Sequence, residues 1–327
     1  MKRKKQRGIS FLGFSALCVI LTAILAGVFT YAYYREKYRG SAQAYSRSLI
    51  RDLQADSMEY RIATLFYTKE EIAGIQRNQA FVNQPDGDEK KEEPSKDIEI
   101  IPIYGTTYEG YMMFIHNPQD LSVAVNPNLG SGGDAPDLDT YVEKYHAAGG
   151  TNAGGFADAG GTGNGSIPQG IVIHNGQLVY GNPNEYLDIV GITADNRLIC
   201  TKTTAQEAIS WGVQEAVTFG PTLINNYENV FKEGTDNLAM LNPRTAIAQR
   251  SDGTFMLLVV DGRGPMSFGA KYQDIIHIFQ EHDAAMAANL DGGNSTAMIW
   301  KGEYVNTPVS LFGSRNLPTV FLVKGDN

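Results

Sequence analysis

Cysteine is nearly absent: two residues in 327. Cys18 lies in an apolar run and Cys200 stands alone in the body, so an exported domain has no intrachain disulfide framework to draw on. The five histidines form no cluster with zinc spacing. The nearest approach is "HIFQEH", which carries His277, Glu281 and His282. At about 100° per residue, positions five apart lie ~140° apart around a helix, so the two histidines cannot share a metal. No G-x-S-x-G occurs and Cys200 sits in a strand-like run, which argues against a serine or cysteine hydrolase. The body also lacks basic excess. The first 39 residues hold eight Lys and Arg against Glu36, and the whole chain is −9, which leaves −16 on the remainder. An acidic body argues against a nucleic-acid partner.

What is present begins with an address. Residues 1–8, "MKRKKQRG", form a basic segment expected to stay cytoplasmic. Ile9–Tyr34 then runs without a charge, longer than the ~20 residues a helix needs to cross a bilayer. It ends in Tyr31, Tyr33 and Tyr34, like an interfacial aromatic belt, whereas a cleaved signal peptide ends in a small-x-small site. An uncleaved single-pass anchor with an extracellular C-terminal domain is expected. Residues 35–97 read as a helical stalk and acidic linker. Ile50, Leu53, Ile62, Leu65 and Ile72 fall at helical spacings between Ser41 and Gln79, and "TKEE" at Thr68–Glu71 is a capping-box pattern able to restart the helix. This helix reads as a membrane-proximal stalk, with self-association as its second use. "NQPDGDEKKEEPSKD", Asn83–Asp97, has linker composition.

From residue 98 to 327 the texture changes to short apolar runs punctuated by Gly, Asn and Asp. Asn175-Gly176, Asp195-Asn196 and Asp252-Gly253 are hairpin signals. Helical patterns are fewer: "PDLDTYVEKYHAAGG", "TAQEAISWGV" and "GAKYQDIIHIFQEHDA". The fold class read from this is α+β, a large mixed β-sheet domain with a few flanking helices.

Four places carry chemistry. Gly149–Gly165, "GGTNAGGFADAGGTGNG", is not a nucleotide loop, because no helix follows it. Glycines there allow close backbone approach, with Asn152 and Phe156 as an amide contact and an apolar platform. Arg244 follows Asn242-Pro243 at a strand mouth, where a planar guanidinium holds a carboxylate or phosphate. Asp261 ends the partner strand in "VVDGRG". Asp291 follows the small, uncharged run Ala284–Ala288, and "DGGNST" is richer in polar groups than a turn requires. An acid at the end of a buried strand is a usual position for a working side chain. Amide, guanidinium and two carboxylates suit a sugar bearing a phosphate.

In order, "GGTNAGGFAD", "TFGPTLI", "NPRTAIAQRSDGTFMLLVVDGR", "AANLDGGNSTAMIWKG" and "SRNLPTVFLV" resemble the motifs of the phosphodiester glycosidase family, from about Ile98 to Lys324. The departures are Ala153 after Asn152, Asn294 in "DGGN" where "DGGG" is frequent, and Ala248 where Gly is frequent. The resemblance implies hydrolysis of a sugar-1-phosphodiester at the anomeric C–O bond. It assigns Asp291 as catalytic carboxylate, Asp261 as its partner or orienting group, and Arg244 as the phosphate holder. Asn152, Gly154, Gly155, Phe156, Gly292, Gly293, Asn294, Ser295 and Thr296 are then the substrate-binding set. The expected partner is a cell-wall or exopolysaccharide glycopolymer carrying a phosphodiester-linked sugar; the alternative is a non-catalytic binder or scaffold of such polymers. No cofactor is expected. Asp, Asn and carbonyls in Gly-rich loops are compatible with Ca²⁺, but none of the loops has EF-hand spacing.

Overall fold

The structure, a computed structural model, describes residues 11–39, 50, 53–54, 57–80, 98–158, 163–232, 240–264, 267–310 and 313–325. The linker expected at Asn83–Asp97 lies outside them, as do residues 1–8 and residues 41–49 of the stalk. The chain divides into two compact units, Met1–Gln76 and Arg77–Asn327.

In the first unit, α1 (Phe11–Arg39) contains Cys18–Arg35, a stretch long and apolar enough to cross a membrane. Its side chains are exposed from Cys18 to Tyr33. Further on lie the short helices α2 (Met58–Ala63) and α3 (Lys69–Ala80). Ser57 caps α2, its side chain accepting from the Tyr60 N–H. The helical run expected between Ser41 and Gln79 is interrupted at Leu53 and Gln54 and again between Thr64 and Thr68, and restarts where "TKEE" marks it. The cause is local. Thr68 N–H donates to the Glu71 carboxylate at 2.7 Å and Glu71 N–H to Thr68 Oγ1 at 3.1 Å, so the capping box starts a new helix. Ile50, Leu53, Ala63 and Ile72 form a small core, with Tyr34 and Phe66 packed against it.

The second unit is strand-rich. In chain order its first half runs β1 (Ile98–Tyr104), β2 (Glu109–Ile115), β3 (Leu121–Val125), α4 (Leu138–Lys144), β4 (Gly149–Asn152), β5 (Val172–His174), β6 (Gln177–Tyr180), β7 (Leu187–Thr193) and β8 (Leu198–Thr203). Then come α5 (Ala205–Ser210), β9 (Val213–Thr218), β10 (Thr222–Asn225), β11 (Glu228–Asn229), β12 (Arg244–Gln249), β13 (Phe255–Val260), α6 (Tyr272–Glu281), β14 (Met286–Leu290), β15 (Met298–Trp300), β16 (Glu303–Tyr304) and β17 (Thr319–Val323). The α+β class holds. The strands sort into three sheets, of order β1-β2-β13-β12-β14-β10-β11, β16-β15-β4-β17-β3 and β6-β5-β9-β7-β8. Neighbours within them pair antiparallel.

All three hairpin signals close hairpins, and each uses left-handed backbone where Asn or Gly was placed. Asn175 and Gly176 (φ +52° and +72°) join β5 to β6, Asn196 (φ +56°) joins β7 to β8, and Gly253 (φ +99°) joins β12 to β13. The three expected helices are α4, α5 and α6.

Alternation along the largest sheet sets the layers. Met113, Ile115, Ile247, Leu257 and Val259 face a core shared with Phe321 of the second sheet and Val190, Cys200 and Val217 of the third. Their neighbours Met112, Phe114, Ala246, Met256 and Leu258 face the other way, onto Ile275, Ile276 and Phe279 of α6. Both faces are covered, so β12, β13 and β14 are buried along their whole length. The "HIFQEH" stretch lies on α6 and at its C-cap. Exposed His277 and Glu281 pair at 3.2 Å one turn apart, while His282 caps the helix with Nδ1 2.8 Å from the Ile278 carbonyl.

Candidate active site

The strand β14 carries an apolar run to the edge of its sheet and delivers Asp291 there. Main-chain bonds fix the turn that follows. Asp291 N–H donates to the Ala153 carbonyl at 3.0 Å and Gly293 N–H to the Pro243 carbonyl at 2.9 Å. The turn is thereby tied to the ends of β4 and β12, which belong to two different sheets. Gly293 has φ +61°, and a Cβ there would lie 3.3 Å from an Arg263 nitrogen, so glycine serves both the backbone and its neighbour.

A cleft of about 280 Å³ opens at this junction, lined by Phe156, Asp158, Arg263, Asp291, Gly292, Gly293, Asn294, Ser295 and Arg315. Two carboxyls meet two guanidiniums in it. Burial pushes the Asp291 carboxyl up to about 6, and the nearby Asp158 charge adds to this. A hydrogen bond from the Ser295 side chain, one from the Gly292 N–H and the Arg315 charge act in the opposite direction without cancelling it. Asp158 is held at about 2, chiefly by its hydrogen bonds to Arg315. That pair is a two-pronged fork: Nη1 to Oδ2 at 2.5 Å and Nη2 to Oδ1 at 2.8 Å. Arg315 also donates to the Gly163 carbonyl at 3.0 Å and stacks over the Phe156 ring at 4.9 Å. Its guanidinium is thus committed to holding the loop that carries Asp158. Arg263 is the exposed cation. It donates to Asn294 Oδ1 at 2.5 Å and to Asn242 Oδ1 at 3.3 Å, and its own φ is +61°.

Of the residues expected from the sequence, Asp291, Phe156, Gly292, Gly293, Asn294 and Ser295 come together in the cleft lining. Asn152, Thr296, Gly154, Gly155, Asp261 and Arg244 do not line it. Asn152 lies beneath it, fully buried. Its amide donates to the Asp291 carbonyl at 2.6 Å, and its Oδ1 accepts from Thr245 Oγ1 at 2.8 Å and from the Ala297 N–H at 3.2 Å. Thr296 is buried at the end of the 3₁₀ turn Gly293–Ser295. Gly154 and Gly155 accommodate close protein neighbours. A Cβ on Gly154 would meet Val217, and one on Gly155 would meet Gln169 and Phe219. Asp261 accepts from Asn306 Nδ2 at 2.8 Å and from the Thr307 N–H at 3.1 Å; burial raises its carboxyl pKa and these bonds restrain the rise. Asn306 in turn accepts from the Met298 N–H, so Asp261 braces the strand that follows the cleft. Arg244 is turned away. Its Nε and Nη2 donate to the carbonyls of Ala270 and Met240, and its guanidinium lies 4.2 Å over the Tyr272 ring.

Sequence reasoning passed over three lining residues: Asp158, Arg263 and Arg315. Each stood inside a motif already singled out, "GGFAD", "VVDGRG" and "SRNLP", without a role. The available signal was charge within an otherwise small or apolar motif.

Comparison with known proteins adds to this geometry. A family model described as phosphodiester glycosidase matches residues 145–324, more than half of the chain. The catalytic domain of zebrafish N-acetylglucosamine-1-phosphodiester alpha-N-acetylglucosaminidase, auto-inhibited by its pro-peptide, superposes with a TM-score of 0.58 at 18% identity, over 76% of this chain and 87% of that one. A structure described as a putative exported protein from Burkholderia pseudomallei K96243 aligns with a TM-score of 0.49 at 16% identity, over 67% of this chain and 74% of that one. The SPbeta prophage-derived uncharacterized protein YomE of Bacillus subtilis (strain 168) is 35% identical over 100 residues. That match covers 30% of this chain and 16% of YomE, so the chain spans about a sixth of that relative. The family match spans the cleft and the strands that build it, and the chain belongs to the phosphodiester glycosidase family.

Proposed function

We propose that residues 98–327 form a hydrolase that cleaves the anomeric C–O bond of a sugar-1-phosphodiester. The observation that carries this is Asp291, a carboxyl raised to about 6 in a polar cleft between Arg263 and Arg315. The leaving group is a phosphate monoester with a second pKa of ~6, so it departs without a strong general acid. The protein must bind the phosphate, stabilise an oxocarbenium-like sugar and supply a base or nucleophile. Asp291 does the last in its ionised form, either taking the proton of the attacking water or attacking the anomeric carbon itself. The C–O electron pair leaves on the phosphate oxygen, and water's hydroxyl ends on the sugar. Arg263 holds the phosphate, replacing Arg244 in that role because Arg244 faces Tyr272. Asp158, locked in its charged form by Arg315, faces the developing positive charge on the sugar. Asn294 and Ser295 bind sugar hydroxyls or phosphate oxygens.

The proposed setting is a single-pass anchor, N-terminus inside, with the hydrolase acting outside on a wall or exopolysaccharide glycopolymer. The apolar α1 and the basic first eight residues support it. The test is turnover of a p-nitrophenyl sugar-1-phosphodiester by the full chain in detergent, with Asp291→Asn as the paired variant. Equal turnover by a folded Asp291→Asn protein removes Asp291 from the chemistry. Binding of glycopolymers without turnover selects the binder reading.

A further inference from the structure

Outside α1, the described residues of the first unit leave two large apolar side chains in solvent. Leu65 is 70% exposed and Met58 66%. Both belong to the segment from α2 through the turn that follows it. Phe66, next to Leu65, packs its ring on Tyr31 of α1 with centroids 5.4 Å apart, and Tyr31 is itself 55% exposed. This contact fixes a depth. Tyr31 precedes Arg35, the first charge after the apolar run, by four residues, or about 6 Å at 1.5 Å per residue. Helical side chains lean toward the N-terminus, so the Tyr31 ring lies deeper still on the apolar side. Phe66 therefore sits at a level of α1 that belongs to the aromatic belt of a membrane-crossing helix.

We infer that the Thr64–Tyr67 turn is an interfacial membrane contact, with Leu65 inserted at the headgroup–acyl boundary beside the outer end of α1. It rests on the reading of α1 as a membrane span. Phe66 joins this turn to the exposed apolar side chains of that helix, from Val19 to Tyr33, and lipid is the partner that covers both. The N–H groups of the turn have partners within the chain, which suits a poorly hydrated layer where an unmade hydrogen bond costs several kcal/mol. Thr64 N–H donates to the Tyr60 carbonyl, Leu65 N–H to Ile62, and Phe66 and Tyr67 N–H both to Ala63, at 2.9–3.1 Å. Thr68 N–H closes the series on Glu71. The next residues, Lys69 and Glu70, are charged and exposed, and mark the return to water.

The test uses the full chain in phosphatidylethanolamine–phosphatidylglycerol vesicles with Cys18→Ala, the buried Cys200 being left in place. An environment-sensitive fluorophore is attached to a cysteine introduced at Leu65, Ile24 or Glu70 in turn. Leu65→Cys is expected to give blue-shifted emission, quenched by lipids with a nitroxide near the headgroup and much less by a nitroxide at the chain end. Ile24→Cys should show the reverse preference, and Glu70→Cys neither. A quenched Ile24 label with an unquenched, red-emitting Leu65 label overturns the interfacial contact while leaving the span intact. An unquenched Ile24 label overturns both. A blue-shifted Leu65 label insensitive to either lipid and dependent on protein concentration assigns the patch to a second copy of the chain, and also overturns the inference.

Discussion

Asp291 carries two consequences that one substitution separates. Its raised carboxyl pKa, about 6 against the ordinary 3.8, means that the folded chain holds this proton more tightly than the unfolded chain. The resulting stabilisation is complete below about pH 3.8 and is lost as pH rises through about 6. Above pH 6 the ionised group sits in a poorly hydrated floor and costs the fold on the order of 3 kcal/mol, since each tenfold gain in proton affinity is worth about 1.4 kcal/mol. Asp291→Asn removes that cost. Its melting temperature is expected to exceed that of the parent at pH 8 and to approach it at pH 4, while turnover is abolished. In the proposed mechanism Asp291 acts ionised, so kcat/KM of the parent should fall as pH drops through about 6. Arg263 makes a second, independent prediction. Arg263→Ala loses a charge-assisted contact worth about 1.5–3 kcal/mol, so kcat/KM on the phosphodiester falls roughly 10- to 100-fold. Cleavage of an uncharged aryl glycoside, slow in both proteins, should not fall with it. Equal losses on both substrates would take Arg263 out of phosphate recognition.

At the scale of elements, the cleft depends on a buried amide that does not line it. Asn152 ties β4 to β12, to the Asp291 carbonyl and to the Ala297 N–H. Asn152→Ala leaves those partners buried and unsatisfied, at about 1–3 kcal/mol for each group that water cannot reach. The chain is expected to lose several kcal/mol in urea unfolding, and to lose activity with it. Phe279→Ala tests the opposite layer: it empties the α6 contact with the main sheet at about 3–5 kcal/mol, and leaves KM unchanged in the folded fraction. Elements were legible in the sequence where local chemistry decides them. The hairpin residues of β5–β6, β7–β8 and β12–β13 need left-handed backbone that Asn and Gly adopt readily, and α4, α5 and α6 carry clear apolar spacing. In the stalk "TKEE" marks the restart at Thr68, but the apolar spacing also counts Leu65, which lies in the turn and is exposed. Side-chain direction at strand ends was not legible. Arg244 and Arg263 both lie at the open end of one hairpin, and packing against Tyr272 with bonds to the Ala270 and Met240 carbonyls turns Arg244 away from the cleft.

At the scale of the whole molecule, the five ordered motifs lie far apart in sequence and meet where two sheets end side by side. The turn after β14 bonds to residues near β4 and β12, and "SRNLP" returns Arg315 to the loop that follows β4. Motif order reveals such a meeting as family membership. It does not reveal which charges meet, since the Asp158–Arg315 fork spans 157 positions. The central claim is which bond breaks, and the most direct measurement is hydrolysis of a sugar-1-phosphodiester in water labelled with heavy oxygen. Cleavage at the anomeric carbon places the label on the released sugar and none on the phosphate monoester, and Asp291→Asn abolishes release of both products. Label on the phosphate would show P–O cleavage and contradict the account.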